Sequence, residues 1–378
     1  MKPRLLALAI HPAPYRDPVF CEILKRGNIH IDFRFYFPFD DGHTEWDWSL
    51  ISLQSKTLTS GLPFPKEDRL HLSIAYELMH EKYDAVLIPG YSRATSAAAI
   101  ILSEILRIPF ILSVDSLRHV AETANTWRSV IRRHLLKRAA AIWVPGVASR
   151  KYLISQNVKS EKIFEGAYCF DSKYLLSLLE DTKTRRAETR RSIGISDDSF
   201  VFLTVGNMIK TRRYVKLVET FIEASEGLST NLLMIGNGPE RATIEALIQS
   251  SDKKHIQLLG SVSFRDLFTF YSAADAFVHP GVEPFSTATE LAAIAGLPII
   301  ATPGVGYVHD LINRGVQPLL SDIDDVDGLK SNLKALIVNR RFARELGAHT
   351  ELVATQRNAQ WAAEELEKAV FFAVRAAS

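Results

Sequence analysis

The sequence predicts an α/β protein built from two doubly wound, parallel sheets. Short apolar runs alternate with helix-period segments along its length, the pattern of repeated βαβ units. A charge-rich stretch, EDTKTRRAETRRSIGISDDS, interrupts that alternation near the middle, as a linker with a solvated helix would. A chain of 378 residues also exceeds what one ordinary core holds.

In the first half, Leu5–Ile10 reads as a buried strand, followed by a Pro-rich loop and a helix over Pro18–Lys25. His30–Phe37 alternates like a strand, and Ala85–Pro89 is a wholly apolar one. An alanine-rich helix over Ala94–Leu106, strands at Pro109–Val114 and Ala141–Pro145, and a basic helix at Trp127–Arg138 complete the series. The second half opens with strand Phe200–Val205, helix Tyr214–Glu226, strand Asn231–Ile235 and helix Pro239–Ser250. Strand Ile256–Leu259, helix Phe264–Ser272, strand Ala276–His279, a helix around Thr287–Ala295 and strand Pro298–Ala301 follow. The expected division is a Rossmann-like domain over 1–171, a charged linker over 172–199 and a second Rossmann-like domain over 200–355. A final helix over 356–378 is placed to cross back to the first domain. Two such domains would bring their ligand loops to a central cleft.

Bulk properties narrow the function. Hydrophobic residues make up 47% and charged residues 23%, the balance of a folded chain. A formal charge of +2 and no recognition motif argue against nucleic acid as a partner. Cys21 and Cys169 lack metal-ligand or redox spacing, which favours a reducing compartment, the cytoplasm. His11, Pro12, Pro14 and Arg16 cut the first apolar run short, against a secretory leader. No run of ~18 uncharged apolar residues exists, so no spanning helix is expected.

Several segments of the second half are more specific. Phe202-Leu-Thr-Val-Gly-Asn-Met-Ile209, Leu232-Leu-Met-Ile-Gly-Asn-Gly-Pro-Glu240 and Ile256-Gln-Leu-Leu-Gly260 follow in order. Tyr271-Ser-Ala-Ala-Asp-Ala-Phe-Val-His-Pro280, Glu283-Pro-Phe-Ser286 and Gly296-Leu-Pro-Ile-Ile-Ala-Thr302 continue the series. This succession resembles the donor domain of family 4 glycosyltransferases. Pro12-Ala-Pro-Tyr-Arg-Asp-Pro18 and Gly90-Tyr-Ser92 resemble the same family more weakly. The resemblance implies a GT-B fold, a nucleotide-sugar donor, a UDP- or GDP-sugar, and retention of anomeric configuration without metal. It also implies a glycan or lipid-linked acceptor, in surface polysaccharide or glycoconjugate synthesis.

Elementary chemistry assigns the positions. Gly206 ends a strand where only a small residue lets backbone approach a phosphate, and Gly236 and Gly238 end the next one. Lys210 and Arg212 offer charge to a departing diphosphate. Glu283 matches the family's sugar-contacting acid, and Pro284, Phe285, Ser286 and Thr287 open a helix able to hold diphosphate or sugar oxygens. Val262, after Gly260, joins the donor-binding set. Three positions depart from the family. Asn207 stands where an Arg follows the glycine, and Arg212 where a Lys is expected. Leu291 falls on the ribose-binding Glu position, with Glu290 one residue early; either Glu290 still reaches the ribose or the contact is lost. Catalytic roles are therefore expected for Glu283, Arg212, Asn207 and Asp115.

Other features divide between function and structure. Tyr15 and Arg16 follow the first strand, as acceptor contacts or as part of a Pro-rich turn. Asp115 and Ser116 end a strand, where Asp115 would touch sugar or acceptor, or cap the following helix. His11 and His119 are lesser candidates for the cleft. Asp322, Asp324, Asp325 and Asp327 precede a helix over Leu329–Val338 and suit dipole capping, so no metal is expected. The helix Thr126–Arg138 carries a Val130, Ile131, Leu135, Leu136 stripe, with Arg128, Arg132, Arg133, Lys137 and Arg138 largely off it. That pattern suits either a sheet-covering helix or weak peripheral contact with an anionic membrane surface. A GT-B epimerase and a non-catalytic sugar-nucleotide or glycan-binding subunit are the alternative functions.

Overall fold

The computed structural model describes residues 2–37, 56–58, 61–65, 68–115, 126–251 and 255–377. They divide into two compact units, 1–171 with 357–378, and 172–356.

In the first unit, β1 (Arg4–Ala9), β2 (His30–Phe35) and β3 (Lys56–Thr57) run outward to one edge. β4 (Leu62–Phe64) and β5 (Asp68–Leu70) form a separate antiparallel hairpin. β6 (Ala85–Pro89), β7 (Phe110–Ser113), β8 (Ala141–Val144) and β9 (Ile163–Glu165) extend the sheet from the other side of β1. The order is β3-β2-β1-β6-β7-β8-β9, every pairing parallel. Strand β6 is buried throughout, which explains its unbroken apolar run. The last helix, Ala359–Ala377, packs Ala362, Leu366, Ala369 and Val370 into the core beneath Trp143 and Phe20. Arg357, 1% exposed, fixes its entry by donating to the carbonyls of Pro145 and Tyr168.

The second unit repeats the scheme with β10 (Phe200–Val205), β11 (Thr230–Ile235), β12 (Ile256–Gly260), β13 (Ala276–His279), β14 (Ile299–Ala301) and β15 (Leu319–Leu320). Its order, β12-β11-β10-β13-β14-β15, is parallel throughout and reverses direction between β10 and β13. At such a reversal, the crossovers depart to opposite sides and leave a crevice at the carboxyl ends of the two strands.

The stretch 172–199 is not a linker. It forms helices Ser172–Lys183 and Arg186–Ser192 of the second unit. Two of its arginines, Arg186 and Arg190, are structural ties, while Arg185 and Arg191 stay exposed. Arg190, 3% exposed, donates to Asp275 and to the carbonyls of Ala273, Asp197 and Ser199. Arg186 reaches the other Asp275 oxygen at 2.5 Å. The stripe expected on the basic helix also divides. Leu136 is buried, whereas Val130 and Ile131 are 56% and 47% exposed. Asp325 caps its helix, accepting from the Gly328 N–H at 2.8 Å.

Candidate active site

Backbone contact at the ends of β10 and β11 dictates glycine. Gly206 has φ 146° and donates its N–H to the Ile235 carbonyl at 2.9 Å. Gly236 has φ 131°, and a Cβ there would lie 2.1 Å from the Gly206 oxygen. A Cβ on Gly238 would meet the Met208 oxygen at 2.6 Å. No side chain fits between these turns. Beside them, Asn207, Ile209, Asn237, Gly238 and Pro239 line an open depression of about 440 Å³.

After Gly206 the chain makes a single tight turn, Lys210–Arg212, ended by Arg213 at φ 56°. That turn rests directly on the loop leaving β13. The Val282 N–H donates to the Thr211 carbonyl at 2.9 Å, and a Cβ on Gly281 would stand 2.2 Å from that same oxygen. Arg212 is thereby laid against Glu283. Its Nη1 donates to Oε2 at 2.5 Å and its Nη2 to Oε1 at 2.6 Å, a bidentate fork. His279, fully buried at the end of β13, places Nε2 2.7 Å from Arg212 Nη1 and 3.1 Å from Glu283 Oε2.

Backbone bonds hold Glu283 itself. Its N–H donates to the Gly304 carbonyl at 3.1 Å, and its own carbonyl accepts from the Gly306 N–H at 2.9 Å. Gly306 is obligatory, since a Cβ would meet the Pro284 oxygen at 1.9 Å. Phe285 is buried edge-on to Tyr307, with ring centres 5.3 Å apart. Ser286 takes φ 77°, a strained backbone for a residue with a side chain. It caps helix Thr287–Ile294 by accepting from the Thr289 N–H at 3.3 Å.

The electrostatics follow from that packing. Burial pushes the Glu283 carboxyl up, but the polar contacts around it, the Arg212 charge among them, outweigh it and hold it below its usual range. Burial lowers His279, with the Arg212 charge adding to the effect. The remaining cations differ. Arg213 reaches exposed Asp324 at 3.4 Å, Lys216 reaches Glu219 at 3.3 Å, and Lys210 stands exposed without an ion pair among the described residues.

The structure thus brings together Gly206, Arg212, Gly236, Gly238 and Glu283, with Asn207 and Lys210 exposed at the rim. Val262 is half-buried between β12 and the next helix. Glu290 is 0% exposed and Leu291 4%, so in this conformation neither is presented at the surface for a ribose. His279 was not among the predicted site residues; its signals in the sequence were its place at the end of an apolar strand and within the segment Tyr271–Pro280.

In the first unit, Tyr15 follows β1 and its ring meets Tyr168 edge-on at 4.8 Å. The Tyr168 hydroxyl donates to Asp115 Oδ2 at 3.1 Å, and the Arg16 guanidinium lies 5.8 Å from the Tyr15 ring centre. Burial, reinforced by the Asp115 charge, raises Tyr168 well above an ordinary phenol. Tyr168, in the loop after β9, is a further residue that sequence reasoning missed. His11 Nδ1 lies 2.8 Å from the Pro12 carbonyl. Ser116 and His119 lie outside the described residues. Among the described residues, no group of three or more His, Cys, Asp or Glu is placed to hold a metal, and no helix is long and apolar enough to cross a membrane.

Comparison with known proteins agrees with this fold. Residues 185–353 match the family model for glycosyl transferases group 1. A GDP-mannose-dependent alpha-mannosyltransferase of Corynebacterium glutamicum is 35% identical over 112 residues, 28% of this chain and 26% of that protein. An alpha-monoglucosyldiacylglycerol synthase of Acholeplasma laidlawii is 32% identical over 111 residues, 29% of this chain and 28% of that protein. The match therefore spans little more than a quarter of the length of these two relatives. Among solved structures, Anabaena HepE in complex with UDP and glucose superposes with a TM-score of 0.73 at 15% identity, covering 96% of this chain and 98% of that one. The chain has the GT-B fold, and through residues 185–353 it is related to the glycosyl transferases group 1.

Proposed function

We propose that this chain is a glycosyltransferase that moves a sugar from a nucleoside-diphosphate donor, a UDP- or GDP-sugar, to a glycan or lipid-linked acceptor. The observation that carries this reading is the Arg212–Glu283 fork at the ends of β10 and β13, where the strand order reverses. A sugar nucleotide presents an anion and a ring of hydroxyls side by side. The fork presents a cation and an acceptor side by side, on backbone too tightly packed to wander.

In the proposed chemistry, Arg212, exposed Lys210 and Asn207 face the diphosphate and stabilise charge as it departs. The glycine turns at Gly206, Gly236 and Gly238 admit the phosphates and ribose, with Val262 alongside. Glu283 accepts from sugar hydroxyls, and Pro284, Phe285, Ser286 and Thr287 bring the helix start against the donor. Glu290 reaches the ribose only if its helix shifts from the buried position observed. Tyr15, Arg16 and Asp115 meet the acceptor. Transfer is proposed to retain configuration and to need no metal.

The proposed setting is the cytoplasm, with weak contact to an anionic membrane through Thr126–Arg138. Exposed Val130 and Ile131 beside exposed Arg133, Lys137 and Arg138 support that contact. Flotation with anionic vesicles checks it: salt-sensitive binding lost in Arg133→Glu/Lys137→Glu is expected, and equal flotation of the variant contradicts it.

Incubation with radiolabelled UDP- and GDP-hexoses and a lipid and glycan extract tests the activity. Label appearing in a glycoside, with one nucleoside diphosphate released per transfer, is the expected outcome. Label recovered only as free or epimerised sugar would replace it with the epimerase reading. Saturable nucleotide binding with no turnover would replace it with a binding subunit.

A further inference from the structure

The proposed chemistry leaves one buried group without a role. His279 is fully buried beneath the Arg212–Glu283 fork. Three polar atoms meet there. Arg212 Nη1 lies 2.5 Å from Glu283 Oε2 and 2.7 Å from His279 Nε2, and those two acceptors are 3.1 Å apart. A guanidinium carries donors only, so Nε2 at 2.7 Å accepts. The ring is therefore neutral, with its proton on Nδ1, an atom that makes no hydrogen bond to another described residue. In this state Nε2 and Oε2 are two acceptors that face each other across the Arg212 N–H groups. If a diphosphate draws the guanidinium away, Oε2 faces a lone pair, and Glu283 loses its bidentate partner as the sugar arrives, with Ser286 left beside it.

We propose that His279 is a positioning residue that exchanges its hydrogen-bonding role as the donor site fills. It accepts from Arg212 in the empty site and donates from Nε2 to Glu283 once a nucleoside diphosphate has engaged Arg212. The inference rests on the donor-site reading given above. The buried ring exchanges protons with water only while the site opens to admit the nucleotide: one proton passes from Nδ1 to water and water returns one to Nε2, so the ring is neutral before and after. Burial, which disfavours a charged imidazole here, is consistent with an exchange of tautomers rather than a gain of charge. The result is a carboxylate that keeps its aim at the sugar hydroxyls while its arginine turns to the phosphates. A purely structural histidine would be replaceable by an apolar side chain of similar size.

Nitrogen-15 spectra of histidine-labelled full-length protein test the exchange, with the His279 signals assigned by their absence in His279→Gln. The same samples are titrated calorimetrically with UDP, GDP and ADP. The empty protein is expected to show a protonated Nδ1 and bare Nε2, and the protein saturated with the diphosphate that binds is expected to show the reverse. Binding with an unchanged pattern overturns the His279 exchange and leaves the donor site standing. Binding of none of the three overturns both. Kinetics supply the second arm. His279→Leu is expected to lower kcat at least about ten-fold with nucleotide affinity within about three-fold of wild type. His279→Gln, which keeps a donor and an acceptor at the side-chain end, is expected to recover most of the loss. Equal loss in both variants, or loss confined to KM, overturns a positioning role.

Discussion

Two carboxyl groups, one in each unit, meet burial in opposite ways. Glu283 sits at 23% side-chain exposure against the Arg212 fork and stays ionised, its pKa held below the usual range despite the cost of burial. Asp17, at the start of helix Asp17–Arg26, is 1% exposed and takes only a 3.4 Å bond from the Ala13 N–H. Its Oδ2 has no hydrogen bond among the described residues, and burial pushes its pKa up to about 6. The difference teaches what a ready-made anion or cation site requires. Low dielectric strengthens a charge only when a partner of opposite sign is built in; otherwise it neutralises the group. The second unit has such a pair at the reversal of its strand order. The described strand ends of the first unit present aromatic edges and an exposed Asp115, held by a phenol rather than a cation.

The largest test of that contrast removes the cation. Arg212→Ala leaves Glu283 facing His279 without the fork, and transfer is expected to fall about 10²–10³-fold, as for loss of a preorganised electrostatic contact. Arg212→Lys keeps the charge but loses the bidentate geometry, and should fall between. Steady-state rates of nucleoside diphosphate release check both.

Asp17 supplies the next test. Its folded pKa lies above the ordinary 3.8, so the protonated form is favoured by folding. That favourable contribution is complete below 3.8 and is lost as pH rises through about 6. The separation corresponds to about 3 kcal/mol at most. Asp17→Asn should therefore stabilise the protein against urea at pH 8 by up to about 3 kcal/mol, with the gain fading towards pH 4. A gain that is independent of pH would contradict the uncompensated burial.

Gly236→Ala tests the backbone beneath the donor site. Its Cβ would stand 2.1 Å from the Gly206 oxygen, on a backbone at φ 131°. A loss of about 2 kcal/mol or more in urea unfolding is expected, with weakened nucleotide binding. The smallest effect belongs to the first unit. Tyr168→Phe deletes one exposed hydrogen bond to Asp115, and acceptor KM should rise about five-fold with nucleotide affinity unchanged.

How much of this was legible before the structure depended on the range of the interaction. Strands Ala85–Pro89, Phe200–Val205 and Ala276–His279 announce themselves as local apolar runs, because both faces of a parallel sheet are buried. Glycines 206, 236 and 238 were legible as the ends of such runs. A solvated helix near 172–192 was legible but its buried ties were not, because Arg186 and Arg190 meet Asp275, more than eighty residues away. The fork itself was half legible. Arg212 and Glu283 could each be chosen by motif, but their mutual engagement, and His279 beneath it, exist only once Gly281 has let two loops touch. Tyr168 escaped notice for the same reason, since its partners come from loops after β1 and β7.

The most direct test of the central claim is calorimetric titration of the whole chain with UDP, GDP and ADP, without added metal, beside Arg212→Ala and Glu283→Ala. Saturable binding of one diphosphate to the wild type, lost in Arg212→Ala and retained in part by Glu283→Ala, is the predicted result. Binding of none of the three, or binding that survives Arg212→Ala undiminished, would contradict a donor site built on that fork.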